Sequence, residues 1–227
     1  CPFPLSADDH LAEGPFAEDE PVTKPQYSTA PIDFYFDFSS PYGYLAAEEI
    51  DALAARYGRL VHWHPFLLGV TFKVTGLGPL PGIPLKGAYS MHDIERSARY
   101  FGVPYRQPST FPIPTQHAAR AFLWLNDRSP LKAREFGLAA YRAYFVDDVN
   151  ISDLAAVLDI AARVGVDRDE LSGVLAGTEI KARLAAEVDL GLARGVFGSP
   201  FIIVDGEAFW GADRLPQVER WLAEGGF

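Results

Sequence analysis

The stretch PIDFYFDFSSPYGYLAAEEIDALAARYGRLVHWHPFLL constrains this chain more than any other part of it. Residues 32 to 38 are rich in aromatic and β-branched side chains and follow a proline, the pattern of a buried strand. Pro41 stands where a first helical turn tolerates proline, helical period runs over residues 41 to 57, and Gly58 closes the helix. Residues 60 to 68 read as a second strand. A strand, a helix and a strand so closely spaced form a right-handed crossover with the strands parallel. The chain is thereby committed to an α/β sheet.

The remainder is read against that unit. Residues 69 to 87 include GLGPLPGIP and are too punctuated for regular structure, so a long loop is expected there. Helical segments follow near 90 to 101, 115 to 127, 131 to 146, 152 to 164 and 168 to 176, with no strand between them. Asp167 with Glu170 forms a helix-start pair, and Thr178 is expected to cap a helix over 179 to 194. FIIVD, a turn at Gly206 and EAFW make a hairpin, and an amphipathic helix over 213 to 224 ends the sequence. The order β-α-β, helices, α-β-β-α is that of a thioredoxin-like α/β fold with an all-helical insert. Residues 31–70 and 178–227 form the thioredoxin-like domain, and residues 71–177 the loop plus helical insert domain. Residues 1–30, acidic and proline-rich, are expected to be a disordered extension.

Charge and cysteine content exclude several functions. A formal net charge of −10 argues against nucleic acid as a partner. No apolar run reaches the roughly 18 residues a membrane helix needs. The single cysteine, Cys1, leaves a two-cysteine redox cycle without a resolving partner. With no signal segment visible, the Cys1 start is read as processed or truncated, and the expected compartment is the cytoplasm.

Three places carry candidate chemistry. At FDFSSPYGYLA a strand leads through Ser39, Ser40 and Pro41 into a helix, whose first amides and dipole favour an anion such as a thiolate near Ser40. An ordinary N-cap role for either serine fits the same residues. At GVFGSPF, a cis Ser199–Pro200 bond would expose the Ser199 backbone as an edge for an extended ligand, whereas a trans bond would simply break the loop. At FWGADRL, helix amides can take a carboxylate and Asp213 an ammonium, unless Asp213 only caps the helix. His62 and His64 lie on one side of a strand, but nothing in the spacing completes a metal site, so none is expected. The insert aromatics Tyr141 and Tyr144 are read as core.

Taken together, DFYFDFSSPYGYLA, PFLLGVTFKVTG, KGAYSMHDIERSARYFGVPY, GVFGSPFIIVDG and FWGADRL resemble the 2-hydroxychromene-2-carboxylate isomerases. These are relatives of the kappa-class glutathione transferases in the DsbA-like branch of the thioredoxin superfamily. The resemblance implies glutathione as cofactor, a small aromatic substrate and a homodimer. It implies that Ser40 replaces the cysteine of redox relatives and hydrogen-bonds the glutathione thiol, with Gly43 at their second cysteine. It further implies a cis Pro200, pairing of the Ser199 backbone with the cysteinyl unit, a γ-glutamyl contact from Ala212 and Asp213, and Lys73 near a carboxylate. The chain departs from the family at FPIPT, where Pro114 stands in place of a common asparagine and brings neither a side-chain donor nor an amide hydrogen. The implied reaction is a glutathione-dependent isomerisation of a conjugated aromatic keto acid. A kappa-like transferase and a non-catalytic binding or chaperone module are the competing readings.

Overall fold

The computed structural model describes residues 28–76 and 78–227, so the extension lies outside the described residues except for Ser28 to Ala30. Strand β1 (Ile32–Phe36) leads into helix α1 (Pro41–Arg56), and β2 (Val61–Pro65) follows. Both strands are shorter than the apolar runs that announce them, because each run continues past the ladder into the loop leaving it.

A helix, α2 (Leu68–Thr75), stands where a long loop is expected, followed by one 3-10 turn at Leu80–Gly82. Its local sequence offers Leu67 at the N-cap, with no capping side chain of its own. The cap comes from a distance: the Leu68 amide donates to Asp37 Oδ2 at 2.7 Å, and Gly76 closes the other end at φ 70°.

Helices α3 (Lys86–Phe101), α4 (Gln116–Asn126), α5 (Pro130–Phe145), α6 (Leu154–Arg163) and α7 (Arg168–Ala176) follow without an intervening strand. Helix α3 begins four residues ahead of its expected start at residue 90. Asp167 caps α7 as expected, accepting from the Glu170 amide at 2.8 Å. Thr178 does not cap α8 (Thr178–Ala193); Gly177 is the N-cap, with no side-chain bond, and Thr178 is already the first helical residue.

Strands β3 (Phe201–Val204) and β4 (Glu207–Trp210) form the expected hairpin, with Asp205 and Gly206 at φ 52° and 93° as its two left-handed turn residues. A 3-10 turn at Ala212–Arg214 precedes α9 (Leu215–Glu224), which starts two residues later than expected.

The sheet order is β2-β1-β3-β4, with β1 parallel to β2 and antiparallel to β3, and β3 antiparallel to β4. Alternation splits the aromatic residues between its two faces. Trp63 points to the α1 side, its indole donating to Asp51 Oδ1 at 3.3 Å, and there Phe34, Phe36 and Trp63 pack with Phe122 of α4. Tyr35 and Phe66 point to α8, where Gly191 lets the helix approach so closely that a β-carbon would sit 2.9 Å from the Phe66 ring. One buried cluster includes residues of both the sheet and the helical insert.

On the α8 face lies a polar network built around His64. Its Nδ1 is 2.7 Å from Glu187 Oε1 and its Nε2 is 2.9 Å from Asp33 Oδ1. The spacing along the chain places no carboxylate beside the histidine pair; the parallel register does, setting Asp33 directly opposite His62. Burial opposes a charged His64 ring, but hydrogen bonds to both carboxylates outweigh it and raise the pKa. Burial likewise pushes Asp33 up, yet His64 and Arg194 bring it down to about 2.

Candidate active site

The site is built by the residues between the end of β1 and the first turn of α1. Ser40 is the N-cap, and its Oγ accepts from the Gly43 amide at 3.0 Å, so the ordinary capping role is present. Its hydroxyl also donates to the Ser199 carbonyl at 2.8 Å, and the residue is 4% exposed. A capping serine needs no such second partner.

Few first-turn amides remain free. The Ser40 amide donates to the Asp37 carbonyl at 2.9 Å, Pro41 has no amide hydrogen, and the Gly43 amide is held by Ser40. Among the described residues the Tyr42 amide has no protein partner. The anion site expected from a bare helix end thus reduces to one amide, the Ser40 hydroxyl and the helix dipole.

The Ser199–Pro200 bond is cis. Ser199 is fixed from two sides: its Oγ accepts from the Asp37 amide at 2.9 Å, and its carbonyl accepts from Ser40. Its own amide has no protein partner among the described residues. Just before it, the Trp210 indole occupies the place where a β-carbon on Gly198 would stand.

Ser40, Ser199 and Pro200 are therefore brought together, and Ala212 joins them through its neighbour. The Gly211 amide donates to the Pro200 carbonyl at 3.1 Å, and the buried Ala212 is the next residue. Asp213 follows in the 3-10 turn, 3.5 Å from Arg214, with its side chain 73% exposed. Lys73 lies exposed in the last turn of α2 and has no ion-pair partner among the described residues. Neither Asp213 nor Lys73 is joined by a hydrogen bond to the Ser40 cluster.

The residue that organises the site is Asp37. Its Oδ1 accepts from the Ser39 amide at 2.9 Å, the Ser39 hydroxyl at 3.0 Å and the Thr115 hydroxyl at 2.7 Å, while Oδ2 caps α2. Its main chain holds Ser199 and Ser40, and its carbonyl also accepts from the Tyr141 hydroxyl at 2.9 Å. One buried side chain thus ties β1 to α2 and to Thr115 at the start of α4. Burial raises its pKa, and the hydrogen bonds it accepts work against that rise.

Tyr141, from the helical insert, is a site residue as well as core. Its hydroxyl and the Ser199 Oγ stand 2.8 and 2.7 Å from where a β-carbon on Gly43 would be. Burial pushes its phenol well above the ordinary range, so it acts there as a donor. Asp37 and Thr115 escape a reading along the chain because their partners are remote in sequence. An aspartate inside an otherwise aromatic run, FYFDF, was the available signal.

The chain is similar to known proteins over most of its length. The model of the DsbA-like thioredoxin domain matches residues 31–223. A 2-hydroxychromene-2-carboxylate isomerase of Sphingobium xenophagum is 33% identical over 207 residues, covering 86% of this chain and 100% of that protein. Glutathione S-transferase kappa 2 of Caenorhabditis elegans is 27% identical over 206 residues, covering 85% and 92% of the two chains. Among solved structures, one of a 2-hydroxychromene-2-carboxylate isomerase superposes with a TM-score of 0.77 at 24% identity, covering 85% of this chain and 94% of that one.

Proposed function

This chain belongs to the DsbA-like thioredoxin family, and on that premise we propose that it is a glutathione-dependent isomerase acting on a conjugated aromatic keto acid. The observation that carries the reading is the Ser40 hydroxyl, hydrogen-bonded to the Ser199 carbonyl where α1 meets the cis-proline loop. The similarity to an isomerase along its entire length supports it. Redox chemistry within one chain has no support, since the sequence holds a single cysteine.

The residues present fit an extended thiol peptide. The Ser199 amide is free to pair with a ligand backbone, and the Tyr42 amide and the Ser40 hydroxyl are placed for its sulfur. Ala212 and Asp213 beyond Pro200 would receive the γ-glutamyl end, and Lys73 a carboxylate. Held by these residues, glutathione would supply a thiolate nucleophile for reversible addition to a conjugated double bond, the chemistry an isomerisation without net consumption of thiol requires.

The chain's own residues set the conditions for that chemistry. A hydroxyl carries one proton, so donation by Ser40 to a sulfur and to the Ser199 carbonyl are alternatives. Asp37 keeps Ser199 in place through its own amide when Ser40 lets go. Pro114 contributes neither a side-chain donor nor an amide hydrogen, and Thr115, the next residue, is committed to Asp37. We place the enzyme in the cytoplasm, where a reducing poise keeps glutathione as the thiol. No helix among the described residues is long and apolar enough to cross a membrane.

The test is a calorimetric titration with glutathione, followed by assays on conjugated aromatic keto acids. Saturable binding, with isomer formed and glutathione unconsumed, is the expected result. Stoichiometric loss of glutathione into an adduct would make it a transferase, the reading favoured by the kappa relatives. Absence of binding would leave only a binding or chaperone module.

A further inference from the structure

The histidine pair of β2 is left unused by this reading, and the structure gives it a third member. Asp33, His62 and His64 each offer a ligand atom, and these atoms lie within 4.8 Å of one another. Two adjacent strands in fixed register carry all three on one face of the sheet. A cluster on paired strands is held more rigidly than one on loops.

The surroundings of the cluster are arranged as those of a metal ligand set are. Glu187 of α8 holds His64 Nδ1 at 2.7 Å, which turns Nε2 toward Asp33. A carboxylate on the far nitrogen of a histidine is the usual means of fixing a metal-binding imidazole. Arg194 holds Asp33 Oδ2 at 2.7 Å and leaves Oδ1 to face Nε2. Arg183 occupies the second oxygen of Glu187 at 2.6 Å. The ion pairs explain His64, Asp33 and Glu187 without His62. They do not explain why an exposed imidazole with no hydrogen-bond partner among the described residues converges on the same point.

We propose that Asp33, His62 and His64 form a binding site for a borderline divalent cation of the zinc, cobalt or nickel type. Two imidazoles and one carboxylate suit these ions, whereas magnesium and calcium prefer all-oxygen sets. Bonds of about 2.0 to 2.2 Å would leave the remaining positions to water. His62, on the exposed side, turns its ring to complete the set. The ion takes the place of the proton on His64 Nε2, which passes to solvent, and no electron is transferred. Binding would tie edge strand β2 to β1 and, through Glu187, to α8.

The full chain, stripped with a chelator and desalted, is titrated with zinc by calorimetry and with cobalt by visible absorption. One equivalent per chain with the intense bands of a low-symmetry cobalt site is expected. His62→Ala, at an exposed position, keeps the fold by circular dichroism and should abolish that equivalent. Glu187→Gln should weaken it by about 10- to 100-fold. No binding up to millimolar ion, or an equivalent that survives His62→Ala at Cys1, His10 or elsewhere, would overturn the site and leave only the ion-pair network.

Discussion

Ser40 makes two hydrogen bonds whose losses are read in different experiments. In Ser40→Ala the cap to Gly43 disappears, at a cost of about 1 kcal/mol in a urea titration. Loss of a donor aimed at developing charge is larger, about 100-fold in turnover. Equal small losses in both would reduce Ser40 to a cap. In Ser40→Cys the helix terminus should hold the thiol pKa below its ordinary value of about 8.5, read from thiolate absorbance. Asp37→Asn sets an amide NH2 against at least one donor, since all four groups meeting its carboxylate donate; the expected loss is about 1 to 3 kcal/mol. Ser40 could be picked out because a strand, a small polar residue and a proline lie side by side in the sequence. Asp37 could not, because its partners Leu68 and Thr115 stand 31 and 78 residues away.

At the scale of elements, the signals that were local were readable and the others were not. The βαβ crossover, the Asp205–Gly206 hairpin and the Asp167 cap all rest on neighbours in the chain. Helix α2 was hidden because its N-terminal acceptor, Asp37, lies 31 residues earlier, in the loop that leaves β1. The close packing of α8 gives a test of its own: in Gly191→Ala the new carbon meets the Phe66 ring. Overpacking costs about 1 to 3 kcal/mol and outweighs the roughly 1 kcal/mol gained in helix propensity, so the urea midpoint should fall. The hairpin is pinned to the loop after α1 by Arg59, which is buried and bidentate to Asp205 at 2.8 and 3.1 Å. Arg59 lowers the Asp205 pKa, so this pair stabilises the fold above the unfolded carboxylate value of about 3.9. The contribution disappears as pH falls through the lower folded value. Because Asp205 is partly exposed, it amounts to less than about 1 kcal/mol. Asp205→Asn should lower stability at neutral pH and leave it unchanged in strong acid.

Over the whole molecule, the helical insert and the sheet bury one another. Phe122 of α4 packs against Phe36, Phe38 and Trp63, and Tyr141 of α5 against Phe36 and Phe38. Unfolding should therefore be one transition, with far-ultraviolet dichroism and tryptophan fluorescence coincident in urea. Two separated transitions would mean that the insert folds alone. The element order made the insert visible in the sequence, but interlocked side chains across its boundary were not. The same interlocking limits the thiol chemistry the site can be given. On paper two substitutions, Ser40→Cys and Gly43→Cys, would set a pair of thiols at Cys-x-x-Cys spacing on the first turn of α1. Yet the second cysteine's β-carbon would stand 2.7 Å from the Ser199 Oγ and 2.8 Å from the Tyr141 hydroxyl. A second thiol at position 43 would therefore require both of these hydroxyls to move aside, and with them the bonds they make to the backbone of Asp37.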